Sequence, residues 1–290
     1  MRAVTHMFEK SMSIGECLGE AARRLADVSE TPRMDAEYLM AHALGIRRSD
    51  LLARLHAPTV PSAFEALLRR RLAYEPIPYI ISEWEFYSLP IRCAPPTLVP
   101  RPETEHLVEA VLDAAGNAPV RMLELGTGTG CVAMALAHNL PSARIVATDR
   151  APEAIALARE NAARLRLDAR IVLLQGDLYH PLRPEDANFD VICSNPPYVE
   201  EGLWDSLSRS IRDYEDPRAV LSGPDGLDMI RALVAGAGDF LRPGGFLAME
   251  IGDGQAHAVG EILAAHEFAA ITFVNDLAGI RRIATARKPV

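Results

Sequence analysis

From Val120 onward the chain alternates short apolar runs with helical runs, and each of the first four apolar runs ends on residues suited to binding. That regularity leaves few folds open. Strands separated by helices predict a mostly parallel sheet with helices on both faces, an α/β domain. The first run, residues 121–125, leads into the glycine turn Gly126-Thr127-Gly128-Thr129-Gly130 and an alanine-rich helix from 131. The second, 144–148, stops at Asp149, and the third, 171–174, runs into Gln175-Gly176-Asp177-Leu178. The fourth, 189–194, ends at Asn195-Pro196-Pro197-Tyr198. Pro243-Gly244-Gly245 reads as a turn into a strand over 246–250, and 270–274 with 280–286 read as a terminal antiparallel pair. Open sheets of this kind bind ligands beyond the carboxyl ends of their strands, where all four features fall.

Asn195-Pro196-Pro197-Tyr198 is suited to hold a planar amide or amine. Two successive prolines continue neither helix nor strand and carry no N–H, so their backbone offers only carbonyl acceptors. The Asn195 side-chain oxygen adds another acceptor, and the Tyr198 ring adds a flat apolar face. An NH2 group donates two hydrogen bonds, so two acceptors and a stacking face fix its plane and leave its nitrogen open to attack.

The glycine turn lets backbone pass close to a ligand where any Cβ would collide. Its GxGxG spacing differs from the GxGxxG of dinucleotide folds, whose helix N-terminus cradles a pyrophosphate. Glu124, just before the turn, would repel a phosphate and suits the cationic amino-acid end of a ligand. Asp149 can accept from two ribose hydroxyls. Asp177 can accept from an adenine amino group, with Leu178 packing on the base. The assembled expectation is an S-adenosylmethionine pocket beside an amide-holding clamp.

With these motifs, the chain resembles the bacterial release-factor glutamine methyltransferases, the PrmC/HemK family. The likeness extends to Thr31-Pro32-Arg33-Met34-Asp35, Glu75-Pro76-Ile77-Pro78-Tyr79, Arg101-Pro102-Glu103-Thr104-Glu105, Gly223-Pro224-Asp225-Gly226 and Glu250-Ile251-Gly252 with Gln255. The resemblance implies a seven-stranded, Rossmann-like class I S-adenosylmethionine-dependent methyltransferase domain over residues 103–290. It implies a small helical substrate-recognition domain over 1–75 and a β-hairpin and proline-rich linker over 76–102. By the same resemblance Gly126 to Gly130, Asp149, Asp177 or Leu178, and Asn195 contact the methyl donor, with S-adenosylhomocysteine as product. Asn195, Pro196, Pro197 and Tyr198 would hold the glutamine of the GGQ loop of class I translation release factors. Leu178 stands where the family often places an aromatic residue. Three other readings stay open: a ribosomal-protein glutamine methyltransferase, an adenine-N6 nucleic-acid methyltransferase acting on a flipped base, and a non-enzymatic module that binds the cofactor and a partner.

The helical expectation for 13–74 rests on apolar residues at three- and four-residue spacing, as in Leu18, Ala21, Ala22 and Leu25. Thr31 before Pro32 reads as an N-cap with proline at the first helical position. Ser49 reads as the cap of a short helix to Leu55, and Pro61 as the opening of another to Tyr74. Residues 79–81, 84–87 and 89–92 read as short strands, and Glu103 as the start of a helix.

A net charge of −9 and a pI near 5.4 weigh against a nonspecific nucleic-acid binder, so no direct nucleic acid is expected. Arg23-Arg24, Arg47-Arg48 and Arg69-Arg70-Arg71 read as solvated helix faces, with an acidic partner as the alternative. The four cysteines lie apart with no CxxC pair, which predicts reduced thiols and no metal site. No apolar stretch reaches the ~20 residues of a membrane span, and the N-terminus lacks a signal core. A cytoplasmic monomer that does not engage a membrane is the expectation, with a frayed first dozen residues and Met7 or Met12 as possible starts.

Overall fold

Ser13 and Glu16 cap each other's backbone N–H groups, a capping box that opens helix α1 (Ile14–Leu25). Ile14, Cys17, Leu18, Ala21 and Leu25 form its buried stripe. Helix α2 (Pro32–Leu44) has Pro32 in its first turn and ends at Gly45, whose φ of 65° is the left-handed stop that glycine adopts without strain. Thr31 occupies the N-cap but makes no side-chain cap bond. In the next helix, α3 (Arg48–Leu51), Arg47 rather than Ser49 occupies the N-cap and makes no side-chain cap bond, while the Ser49 hydroxyl donates to Asp50. Helices α4 (Ala63–Leu72) and α5 (Ile77–Ile81) follow. The α5 segment overturns the strand expected over 79–81. Pro78 sets a helical φ in the first turn, and Ile77, Pro78, Tyr79 and Ile80 are all buried, which leaves no alternation for a strand to use.

The structure is a computed structural model that describes residues 12–58, 61–116 and 119–290, so Met7 and nearly all of the first dozen residues, for which fraying was expected, lie outside the described residues. These residues divide into two units, the first ending at Ser82 and also taking in Ser208–Tyr214. The chain thus divides at Ser82, whereas the sequence boundary fell at 75, and the expected 76–102 linker is shared between the units.

Inside the helical unit, Arg71 departs from the solvated face expected of 69–71. Successive helical residues turn by about 100°, so three in a row span about 200° and need not all face water. Arg71 is buried, and its Nε donates to Asp35 Oδ2 at 2.7 Å. Its other nitrogens donate to Val28 O at 3.2 Å and Ser210 Oγ at 3.3 Å, tying the 208–214 segment into this unit.

The second unit begins with an antiparallel hairpin, β1 (Glu83–Phe86) and β2 (Leu89–Arg92), then helix α6 (Glu105–Ala115). From there the order is β3 (Arg121–Leu125), α7 (Cys131–Asn139), β4 (Arg144–Asp149), α8 (Pro152–Arg164), β5 (Ile171–Gln175) and β6 (Phe189–Ser194). The four-residue α9 (Arg209–Arg212) falls in the returning segment. Helix α10 (Asp228–Phe240), β7 (Leu241–Glu250), α11 (Ala256–Ala265), β8 (Ala269–Asn275) and β9 (Arg281–Arg287) complete the chain.

The seven-stranded sheet has the order β5-β4-β3-β6-β7-β9-β8. Strands β5 to β7 are parallel, and β9 runs antiparallel to both β7 and β8. Met122 faces a core shared with α6, α7 and α8, while Leu123 and Leu125 face a second core under α10 and α11. The sheet is therefore covered on both sides. All four cysteines are free and buried, Cys17 in the helical unit and Cys93, Cys131 and Cys193 in the sheet unit. No helix among the described residues is long and apolar enough to cross a membrane.

Candidate active site

Strand register sets the site. Leu125 lies opposite Thr148 on β4 and Ser194 on β6, and Ser194 lies opposite Met249 on β7. The residues that follow, Gly126, Asp149, Asn195 and Glu250, therefore sit at one level across four adjacent strand ends. Chain order reverses between β3 and β6, the switch point at which open α/β sheets hold ligands. The glycine turn leaves one side of that switch and the Asn195 motif leaves the other.

The glycine turn is fastened by backbone. Gly126 N and Thr127 N both donate to Thr148 O at 2.9 Å, and Gly130 N donates to Thr127 O at 2.8 Å. Gly126 and Gly128 have φ of 71° and 56°, in the left-handed region. Asp149 Oδ2 accepts from Gly128 N at 2.8 Å and Oδ1 from Ala151 N at 2.9 Å, so this carboxylate locks the turn as well as facing the pocket. Burial raises its pKa despite those two donors. Glu124 is buried beneath the turn and accepts from Thr127 Oγ at 2.6 Å. Its surroundings push its pKa up to about 8, burial first, with the Asp149 charge adding to it.

Asn161 on α8 supports the turn from outside. Its Nδ2 donates to Thr129 O at 2.9 Å and Arg92 O at 3.1 Å, and its Oδ1 accepts from Arg92 N at 2.8 Å. One buried amide thereby joins the hairpin to the glycine turn.

The Asn195 side is fastened by side chains. Asn195 Nδ2 donates to Thr104 Oγ at 2.9 Å, and Thr104 Oγ donates to Glu250 Oε2 at 2.6 Å. Tyr198 Oη donates to the other oxygen, Glu250 Oε1, at 3.1 Å. Burial raises the Glu250 pKa against the pull of these donors. Gln255 Nε2 donates to Tyr198 O at 2.9 Å, and Gly226 lies so close that a Cβ there would strike the Tyr198 carbonyl. Thr104, Glu250 and Gln255 lie within the sequence signatures, but nothing local in those signatures marks them as part of the site. Glu250 does end the parallel strand beside β6, and the same strand-end logic that selects Asp149 selects it.

These two sides border one cavity of about 1090 Å³, its open mouth included. Glu124, Gly126, Thr127, Gly128, Thr129, Asp149, Asp177, Leu178, Asn195, Pro196 and Pro197 all line it. Gly130 and Tyr198 stand behind the lining. Arg101, Asp216 and Arg218 also reach the cavity. Arg101 Nη2 donates to both Glu215 oxygens, at 2.7 and 2.8 Å. The loop around Asp216, given no role from the sequence, is thus part of the wall. Leu178 has a left-handed φ of 44°, and its carbonyl accepts from Thr148 Oγ at 3.0 Å. No cluster of three or more His, Cys, Asp or Glu side chains among the described residues is arranged to hold a metal ion.

Residues 16–81 match the family described as PrmC N-terminal domain, and residues 103–209 match the methyltransferase small domain. A release factor glutamine methyltransferase of Moorella thermoacetica is 43% identical over 87% of this chain and 89% of its own length. The protein of the same name from Vibrio cholerae is 41% identical over 94% of this chain and 96% of its own. Among solved structures, a methyltransferase from Pyrococcus furiosus shares the fold, with a TM-score of 0.53 at 20% identity over 71% of this chain and 91% of that one.

Proposed function

The chain belongs to the release factor glutamine methyltransferase family, and from that premise we propose how its pocket works. It transfers the methyl group of S-adenosylmethionine to the side-chain amide nitrogen, N5, of the glutamine in the GGQ motif of class I translation release factors. The observation that carries this reading is the register of Leu125 against Ser194, which sets the glycine turn and the amide clamp side by side.

The pocket fits that donor. Left-handed glycines make room for a ligand against the backbone, and Glu124 and Asp149 favour an ammonium group and hydroxyl groups over phosphate. Asp149 keeps lone pairs for ribose hydroxyls beyond those used by Gly128 and Ala151. Asp177 and Leu178 would take the adenine, and Glu124 the charge of the amino-acid end. When bound, S-adenosylmethionine supplies an electrophilic sulfonium methyl whose transfer releases a neutral thioether.

The residues of the clamp do the rest by alignment. A carboxamide nitrogen is a weak nucleophile because its lone pair is delocalised, so holding it at near-attack distance is the main task. Asn195 Oδ1 and the Pro196 carbonyl would accept its two N–H groups while Tyr198 backs its plane. Those hydrogen bonds strengthen as the nitrogen gains positive character, which stabilises the transition state more than the ground state. The surplus proton leaves to water after the N–C bond forms, so no strong base is needed beforehand. Recognition of the rest of the factor is assigned to the helical unit, which carries its own family match.

The ribosomal-protein and adenine readings have less support, since relatives bearing the release-factor name align over both units. The deciding assay is transfer of labelled methyl from S-adenosylmethionine to a purified, unmodified class I release factor. A factor with the GGQ glutamine replaced and a ribosomal protein run alongside. Label on the unmodified factor alone is the expected result. Label on the ribosomal protein instead, or on neither, overturns the reading.

A further inference from the structure

Resting on the function proposed above, we infer that Thr104 and Glu250 are positioning residues that set which end of the Asn195 amide faces the substrate. An asparagine side chain is nearly symmetric in shape, and its oxygen and nitrogen exchange places by rotation about one bond. A clamp for an NH2 group works only with the oxygen turned toward the pocket. The Asn195 motif alone does not fix that choice.

The hydrogen-bond chain does. Thr104 has one hydroxyl proton, and Glu250 as a carboxylate can only accept. Thr104 therefore donates to Glu250, at 2.6 Å, and its oxygen is left to accept. The atom 2.9 Å away on Asn195 must then be a donor, Nδ2, which turns Oδ1 the other way. With the amide reversed, two acceptors would face each other across that gap. Thr104 and Glu250 are each 1% exposed, so water does not compensate a wrong orientation.

Glu250 also holds the far end of the motif, because its second oxygen takes the Tyr198 hydroxyl. One carboxylate thus fixes both the polarity of Asn195 and the position of the Tyr198 ring. Its location follows from the sheet: Met249 opposite Ser194 places Glu250 beside Asn195 at the adjacent strand end.

The test compares wild type with Thr104→Val, Thr104→Ser and Glu250→Gln. Valine keeps the shape and removes the hydroxyl, serine restores it, and glutamine supplies a donor and an acceptor in place of two acceptors. Each protein is assayed for methyl transfer to the release factor. Each is also assayed for inhibition by a factor carrying glutamate in place of the GGQ glutamine. Thr104→Val is expected to lower kcat by about 10- to 100-fold, the range for losing a hydrogen bond tied to a charged group. Thr104→Ser is expected to stay within about threefold of wild type, on the same grounds.

The decisive readout is selectivity. An amide free to reverse presents N–H to a carboxylate, so Thr104→Val and Glu250→Gln should improve inhibition by the glutamate factor about tenfold relative to binding of the glutamine factor. A purely structural role lowers activity without moving that ratio. S-adenosylmethionine titration marks which variants are folded, and Glu250→Gln carries the test if Thr104→Val does not fold. An unchanged ratio in folded Thr104→Val or Glu250→Gln overturns the inference while leaving wild-type transfer intact. Absence of transfer by wild type overturns the function on which it rests.

Discussion

The two sides of the pocket are built from different materials. On the β3–β4 side the glycine turn is held by main-chain N–H groups donating to Thr148 and Asp149. On the β6–β7 side Asn195 and Tyr198 are held by the side chains of Thr104, Glu250 and Gln255. The glycine wall leans on few side chains, Asp149 and Asn161, and fails when a Cβ is added at a left-handed glycine. A wall of side chains fails when one acceptor is deleted, although Gly226, against the Tyr198 carbonyl, bars added bulk at that point too. The division suits the two tasks, since a donor common to many reactions needs a close cradle and a particular amide needs directed acceptors.

The sharpest way to break this contrast is Asn195→Ala. It should cut turnover about 10²- to 10³-fold, as for a lost transition-state hydrogen bond, while S-adenosylmethionine affinity, read by calorimetry, falls far less. Equal losses in both would dissolve the distinction between the walls. Gly128→Ala probes the other side. The added methyl meets only Thr97 Cγ2, at 3.8 Å, but the φ of 56° strains any side chain. Cofactor affinity should fall about tenfold, from the cost of a left-handed residue, with kcat at saturating cofactor within a few-fold of wild type.

Proton linkage offers a finer cut. With Glu124 pushed up to about 8, the cofactor-free protein holds a proton there at neutral pH. A cationic ligand favours the ionised form, so affinity should rise with pH by at most about tenfold per unit up to that pKa and then level off. Glu124→Gln should remove this component of the slope in the same titration. The fold pays the opposite sign: an acid whose folded pKa lies above its unfolded value contributes less stability as pH rises between the two. Glu124→Gln should therefore flatten the fall in melting temperature between about pH 5 and 8 as well. The smallest effect is expected from Leu178→Phe, which offers the adenine a ring to pack against. An affinity gain of about threefold, the lower part of the range for an aromatic contact, would support this placement, and no gain would count against it.

What could be read from the sequence was what is local in it. The GxGxG turn, Asp149 and the Asn195 motif each sit directly after a strand, so strand pattern and motif locate them together. Thr104 was invisible as a partner because 91 residues separate it from Asn195 and 146 from Glu250. Sheet order sets Asn195 beside Glu250, and the packing of α6 on β6 and β7 brings Thr104, just ahead of that helix, to both. Arg71 was misjudged for a related reason: a run of arginines reads as a charged face until Asp35, 36 residues earlier, is placed beside it. The segment 77–81 failed differently, since five apolar residues are too few for helix and strand periods to separate.

The four buried thiols turn the same architecture into a pair of clocks. Burial holds Cys17 and Cys93 above the ordinary thiol range as well as hiding them, so a modifying reagent reaches either only when its surroundings open. Cys17 keeps time for the helical unit and Cys93 and Cys193 for the sheet, while Cys131, in the cavity lining, reports shielding by the cofactor itself. Mass-resolved labelling of the unaltered chain would then time the opening of each unit separately, and a bound cofactor should slow the sheet's clock more than the helices'.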